Sequence, residues 1–153
     1  MPVELDDYNA YSLHGFLGYL YNSVPGAHVS EPDTIEYFMY KGGLETSAEL
    51  IHLPEEGEKL AYSMFIGADV AIREIETNVR NGRTAVVIKD SYANAFTPWL
   101  APHYEQIVML DPRFYDESAV ELIKSYDDVD VIFVNYVLSA TFPDIVQAIE
   151  KMR

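Results

Sequence analysis

A serine stands at a strand-to-helix transition in residues 83–99, "RTAVVIKDSYANAFTPW". The apolar run 84–88 predicts a buried strand, and Asp90 and Ser91 follow it where a helix is expected to begin. A hydroxyl at the N-terminus of a helix lies beside backbone N–H groups that can stabilise an oxyanion, so Ser91 could be a nucleophile. Asp and Ser are also favoured helix caps, and the alternative is that Ser91 only caps the helix.

A second polar group follows the next apolar run, in "DPRFYD" at 111–116. Arg113 could bind an anionic or sugar substrate, or it could pair with Asp90, Asp111 or Asp116. The formal net charge of −15 favours pairing, because acidic partners are abundant. The chain also contains 12 tyrosines, which can bind sugars but here lie mainly in strand-like runs typical of sheet faces.

A base for Ser91 is not evident among the four histidines. A serine hydroxyl needs a base within hydrogen-bond reach. His103 lies at the far end of the predicted helix 91–102, and at about 1.5 Å rise per residue it is too far away. His14, His28 and His52 are interpreted as surface or loop residues. No pair has the spacing of a metal site, and the chain has no cysteine, so we expect neither a metal nor a cofactor.

The composition limits the possible partners. A length of 153 residues is that of one domain, 1–153. The negative charge and the pI near 4.4 argue against nucleic acid, whose phosphates require clustered Lys and Arg. Neither a signal peptide nor an apolar run of the roughly 20 residues that a membrane span needs is visible.

The elements that must position Ser91 are three apolar strands that alternate with helices. Strands are predicted at 84–89, 106–111 and 129–135, and helices at 91–102, 116–126 and 142–152, with Pro98 kinking the first helix. This βαβαβα order over residues 84–153 predicts an α/β fold with a parallel sheet, whose ligands lie beyond the carboxyl ends of the strands. Residues 1–80 read instead as irregular and β-rich, with short strands within 15–28, 33–43 and 60–69.

The segment "VVIKDSYANAFTPWLAPHYEQIVMLDPRFY" resembles the serine segment of DHHW-motif proteins, a branch of the SGNH-hydrolase-like group related to alginate O-acetylation proteins. The upstream stretches "PVELDDYNAYSLHGFLGYLYNSV" and "PDTIEYF" are similar to those that follow the Asp-His-His-Trp motif in that family. The resemblance covers most of the chain. It implies a three-layer flavodoxin- or SGNH-like fold and an extracytoplasmic or cell-surface location.

By this resemblance, Asp90 and Ser91 correspond to the Gly-Asp-Ser nucleophile block, with Lys89 in the position of the Gly. Asn94 and Asn135 are then candidate oxyanion donors, together with the backbone N–H of Ser91 or Tyr92. Asp90, Tyr92 and Arg113 are the candidate substrate-binding residues, and the implied substrate is an acylated cell-surface glycan.

The Asp-His-His-Trp motif, which would supply the acid and the base, is absent from the sequence, and no histidine follows His103. The chain is therefore expected to be either a fragment of a longer protein or a shortened relative. Three functional hypotheses follow. They are an SGNH-type esterase or O-acetyltransferase that is inactive as this chain, a non-catalytic carbohydrate- or protein-binding domain of the same fold, and a receiver-type regulatory domain with Asp111 as the phospho-acceptor.

Overall fold

The structure is a computed structural model that describes residues 3–17, 31–56, 58 and 60–153. Its main element is a four-stranded mixed sheet in the order β3–β5–β4–β6. The central strand β4 pairs in parallel with both β5 and β6, whereas β3 runs antiparallel to β5. The four strands are β3 (Ile72–Glu76), β4 (Arg83–Lys89), β5 (Gln106–Leu110) and β6 (Asp128–Val134).

The three strands predicted within 84–153 are confirmed, and they are parallel to one another. The sheet as a whole is mixed, however, because β3 was missed and assigned to the irregular half. The sequence of β3, "IREIE", carries three charged side chains, and only Ile75 is buried. Charges are common on edge strands because they discourage further pairing, and they also conceal the apolar pattern of a strand.

The N-terminal half is β-rich, as predicted, with an antiparallel pair formed by β1 (Tyr8–Phe16) and β2 (Asp33–Tyr40). The strand predicted within 33–43 is thus confirmed. Most of the strand prediction for 15–28, including His28, falls outside the described residues. The prediction for 60–69 is wrong, because these residues form a 3-10 turn, Tyr62–Met64, and Phe65 makes only an isolated bridge to Ile51.

The helix predicted over 91–102 is also wrong in its extent. The segment consists of a 3-10 turn (Ser91–Ala93), the short helix α1 (Thr97–Leu100) and a second 3-10 turn (Ala101–His103). Pro98 has no N–H to continue a helix begun at Ser91, but its fixed φ suits the first turn of a new one. The Thr97 hydroxyl donates to the Ala93 carbonyl oxygen at 2.9 Å across this break.

The other two predicted helices are present. Helix α2 (Ala119–Lys124) begins after Ser118, whose hydroxyl oxygen accepts a hydrogen bond from the Glu121 N–H at 3.3 Å. Helix α3 (Pro143–Lys151) begins at a proline, which needs no N–H partner at the first helical position.

Both faces of the two inner strands, β4 and β5, are covered, which explains why these strands are continuously apolar. On one face, Ala85 and Val87 of β4 pack in a cluster that includes Leu100 and Tyr104. On the opposite face, Val86 and Ile88 alternate with them and join a second cluster, which includes Tyr115, Ala119 and Met152. A third cluster joins β2 to the 60–65 segment through four buried side chains, Tyr37, Leu60, Met64 and Phe65.

Candidate active site

Ser91 lies at the carboxyl end of the central strand, where the parallel-sheet prediction expected a site. The cap of the turn that follows is Asp90, whose carboxylate accepts a hydrogen bond from the Tyr92 N–H at 3.0 Å. Ser91 is half-buried, and its hydroxyl makes no hydrogen bond within the described residues. The cap of the turn is thus Asp90 and not Ser91, and the role of Ser91 as a nucleophile stays a prediction.

Asp90 also joins the ends of two parallel strands. Its second carboxylate oxygen accepts hydrogen bonds from the Tyr136 N–H at 2.8 Å and the Ser139 hydroxyl at 3.0 Å. Both of these residues follow β6. The Tyr92 and Tyr136 rings stack with their centroids 5.0 Å apart and their planes at 13°, and Tyr92 is 59% exposed. A flat, exposed aromatic surface therefore borders the Ser91 turn.

Tyr62 supports the Ser91 turn from the N-terminal half, a role that the sequence did not indicate. Its hydroxyl donates to the Ser91 carbonyl oxygen at 2.9 Å, and its oxygen accepts from the Ala95 N–H at 3.3 Å. Burial raises the pKa of Tyr62, which keeps the phenol protonated and able to donate at neutral pH. The same side chain lines a mostly apolar cleft of about 440 Å³ together with Tyr37, Phe65 and Trp99.

A network of charged groups adjoins the end of the Ser91 turn, where it contacts Asn94. The Lys89 ammonium, in a residue that is only 3% exposed, contacts Asp69 at 2.6 Å and Asp111 at 3.6 Å. Arg113 donates to both oxygens of Asp111, at 2.8 and 2.5 Å, and to Asp69 at 2.8 Å. Lys89 also donates to the Asn94 side-chain oxygen at 3.0 Å, which ties the network to the turn. The network therefore contains two positive groups, Lys89 and Arg113, and two negative groups, Asp69 and Asp111, whose charges balance.

Arg113 forms ion pairs within this network, and substrate binding by Arg113 stays a prediction. The predicted pairing with Asp111 is present, and Arg113 has a second partner, Asp69, which no local pattern indicates. The hydrogen bond with Asp111 raises the pKa of Arg113, so the guanidinium stays charged. The same pairing opposes the receiver-type hypothesis, because a phospho-acceptor must be accessible and Asp111 is fully buried.

The two candidate oxyanion donors, Asn94 and Asn135, both have side-chain amides that form hydrogen bonds within the domain. Asn94 is buried, and its side-chain nitrogen donates to Asp69 at 3.0 Å. Asn135 donates to the Ile88 carbonyl oxygen at 3.1 Å, while its own buried side-chain oxygen has no hydrogen-bond partner within the described residues. Oxyanion binding by either residue stays a prediction.

The histidines that the structure describes make contacts elsewhere. His14 lies 3.1 Å from the Thr34 hydroxyl, and His52 lies 3.0 Å from the Glu49 carboxylate. The hydrogen bond with Glu49 raises the pKa of His52. Within residues 3–17, 31–56, 58 and 60–153, no histidine makes a hydrogen bond to Ser91, and no group of three or more His, Asp or Glu side chains is arranged to hold a metal ion. None of the helices in this part of the chain has the length and apolar character needed to cross a membrane.

Asp69 predicts a specific acid sensitivity. Burial alone would raise its pKa, but hydrogen bonds from Lys89, Asn94 and Arg113 outweigh burial and lower the pKa from 3.8 to about 2. Since the folded pKa is the lower one, the stability from this carboxylate is complete above the unfolded pKa and is lost as the pH falls from about 4 towards 2. We expect this loss to be on the order of 2 kcal/mol.

The measurement is the free energy of unfolding in urea between pH 6 and 2.5. Because the other carboxylates also contribute to acid sensitivity, wild type is compared with Asp69→Asn, whose slope below pH 4 should be shallower. The exposed Asp127→Asn serves as the matched control and should retain the wild-type slope. Equal slopes for wild type and Asp69→Asn would refute the assignment.

Comparison with solved structures identifies relatives of this arrangement of strands and turns. The chain aligns with a DHHW family protein from Eubacterium siraeum DSM 15702 at a TM-score of 0.78 and 27% identity, over 98% of this chain and 55% of that one. The resemblance seen in the sequence is thereby confirmed. This chain is similar to a DHHW family protein.

Two more distant neighbours share the fold. PatB1 from Bacillus cereus aligns with a TM-score of 0.72 and 21% identity, over 94% of this chain and 53% of PatB1. A PatB1 structure with a sulfonyl adduct aligns with a TM-score of 0.69, also at 21% identity, over 94% of this chain and 51% of that one. No protein-family model and no curated protein matches the chain. The DHHW-like chain thus spans about half the length of the structures it resembles.

Proposed function

We propose that this DHHW-like chain carries the nucleophile half of an SGNH-type acyl-transfer site, in a three-layer fold of the esterase or O-acetyltransferase class. The single observation that carries the proposal is the position of Ser91. Its unbonded hydroxyl stands at the carboxyl end of the central strand, in a turn that Asp90 caps and Tyr62 supports. An acyl ester on a cell-surface glycan is the proposed substrate, which implies an extracytoplasmic location.

In the proposed reaction, the Ser91 oxygen attacks the ester carbonyl, and its proton passes to a base. The carbonyl electron pair moves onto the oxygen and forms an oxyanion. Collapse of this intermediate releases the glycan alcohol, which takes up the proton, and leaves an acyl group on Ser91. Water then completes an esterase cycle, or an acceptor hydroxyl completes a transfer.

The residues of the turn supply part of the oxyanion site. The Tyr92 N–H already donates to Asp90, so within the described residues the Ser91 N–H is the backbone donor that we assign to the oxyanion. Asn94 and Asn135 each carry a second amide hydrogen besides the one that bonds to Asp69 or to Ile88, and we assign these hydrogens to the oxyanion as well. Tyr92 and Tyr136 offer a flat surface on which a sugar ring can stack.

The acid and the base are not supplied by the described histidines, which form hydrogen bonds elsewhere or lie away from Ser91. We therefore expect the 153-residue chain to acylate Ser91 slowly, if at all, and the protein encoded by the whole natural reading frame to react faster.

The proposal is tested with a serine-directed fluorophosphonate probe and with a sulfonyl fluoride. The second probe is chosen because the PatB1 neighbour was solved with a sulfonyl adduct. The protein from the whole natural reading frame should be labelled, Ser91→Ala should abolish labelling, and Ser125→Ala, a control at an exposed serine, should leave it intact. Labelling that survives Ser91→Ala would refute the nucleophile assignment, as would the absence of labelling in the whole protein.

A second candidate function is carbohydrate binding without catalysis, which the exposed Tyr92–Tyr136 stack specifically favours. The two functions differ in a measurable way. A binding domain would bind an acylated oligosaccharide in a calorimetric titration and would not react with the serine probes.

A further inference from the structure

Strand β6 is an uncovered edge of the sheet. Its hydrogen-bonded neighbour on one side is β4, and within the described residues no strand pairs with its other side. A free edge presents a row of backbone N–H and C=O groups to any extended chain. Proteins usually protect such edges with Lys, Pro or a bulge, but residues 131–134 of β6, "VIFV", have none of these.

The same region exposes an unusual amount of apolar surface. Val131 and Phe133 of β6 are 42% and 60% exposed, and helix α3 buries none of its own side chains. The set of exposed large side chains between residues 131 and 146, here called the β6 patch, consists of Val131, Phe133, Tyr136, Val137, Leu138, Phe142 and Val146. Concentrated apolar exposure of this kind marks an interface.

The sheet register shows on which face of the sheet the exposed side chains of β6 lie. Val131 pairs with Val86, and Phe133 pairs with Ile88, so these side chains share one face of the sheet. On β4 this face is covered by the second cluster, and Val86 and Ile88 are buried. On β6 the second cluster reaches Val129 but leaves Val131 and Phe133 exposed, so the hydrophobic layer ends part-way along this strand.

The relatives indicate what completes this layer. This chain covers only 55% of the Eubacterium siraeum DHHW family protein while 98% of the chain is matched, so that protein has nearly as much chain again outside the shared part. A second copy of this chain is the less suitable occupant, because each copy carries a net charge of −15 and two copies would repel one another.

We propose that the β6 patch binds a strand-bearing segment of the same DHHW-type polypeptide that lies outside these 153 residues. Its strand pairs with the free edge of β6, and its apolar side chains cover Val131 and Phe133. Because Tyr136, which follows β6, donates to Asp90, the added segment borders the Ser91 turn. The inference rests on the edge and its burial, and it holds whether or not Ser91 is a nucleophile.

The 153 residues contain no cysteine, so Phe133→Cys introduces a thiol that is unique among them, and its reaction is followed on the peptide that contains position 133. Its rate of reaction with a maleimide is measured in the 153-residue protein and in the product of the whole natural reading frame. The matched control is Val120→Cys, which replaces an apolar residue that is 39% exposed on helix α2.

The thiol at position 133 should react at least roughly tenfold more slowly in the longer product, because a buried thiol reacts only during local opening. The control thiol should react at similar rates in both proteins. Equal rates at position 133 would overturn the proposal, as would a natural reading frame that adds no residues. Protection in the 153-residue protein that disappears on dilution would assign the patch to a second copy and would also overturn it.

Discussion

Replacement of Lys89 by methionine is expected to lower the free energy of unfolding by about 3–5 kcal/mol. Lys89 is 3% exposed, and its ammonium lies 2.6 Å from Asp69 and 3.6 Å from Asp111, which is fully buried. Methionine fills most of the same volume but removes one positive charge from a balanced set of four. Arg113 alone then neutralises two carboxylates, one of which has no access to water.

The control for this substitution is Lys124→Met. Lys124 also makes an ion pair, with Glu121 at 2.8 Å, but both side chains are about two-thirds exposed. Exposed pairs contribute little, so we expect a change below about 1 kcal/mol. Both values are measured by urea denaturation, and similar small losses for the two variants would contradict a buried charge network next to the Ser91 turn.

Replacement of Ile75 by alanine is expected to cost about 2–5 kcal/mol of unfolding free energy. Ile75 is fully buried and packs with Ala85, Val87 and Ile107 on one face of the sheet. Alanine would leave a cavity that the adjacent strands cannot fill without moving. A large loss would establish β3 as an integral strand of the sheet, although the charged sequence of β3 does not predict it.

Ile72→Ala is the control, because it makes the same change three residues earlier in the same strand. Ile72 is 38% exposed, so less apolar surface returns to water, and we expect a loss of about 1 kcal/mol or less. Equal effects at the two positions would show that β3 does not pack as described.

The elements that could be predicted are those whose signal is local. The two central strands, β4 and β5, are covered on both faces, so they read as continuous apolar runs and need no distant information, and β6 carries a similar apolar run. The pairing of Arg113 with Asp111 was also predictable, because the two residues lie two positions apart. The extent of 91–102 was misjudged because Pro98 starts a new helical turn instead of bending an existing one.

The groups that were missed depend on distant parts of the chain. Asp69 contacts Lys89 and Arg113 across 20 and 44 residues, and Tyr62 contacts Ser91 across 29. Neither lies in a motif or in a periodic segment. The burial of Lys89 could not be predicted either, because a lysine at a strand end ordinarily reaches solvent and its partner Asp69 is distant in the sequence.

The sequence by itself determined the α/β character of residues 84–153, the position of Ser91 at a strand end and the absence of the Asp-His-His-Trp motif, because composition and local hydrophobic pattern carry that information. Only the tertiary structure decided that Asp90 caps the turn, that Tyr62 supports it, and that a balanced buried network adjoins it. The uncovered edge of β6 is also a property that only the tertiary structure shows. These properties depend on which side chains the fold brings together and which surfaces it leaves uncovered, and no local pattern records either.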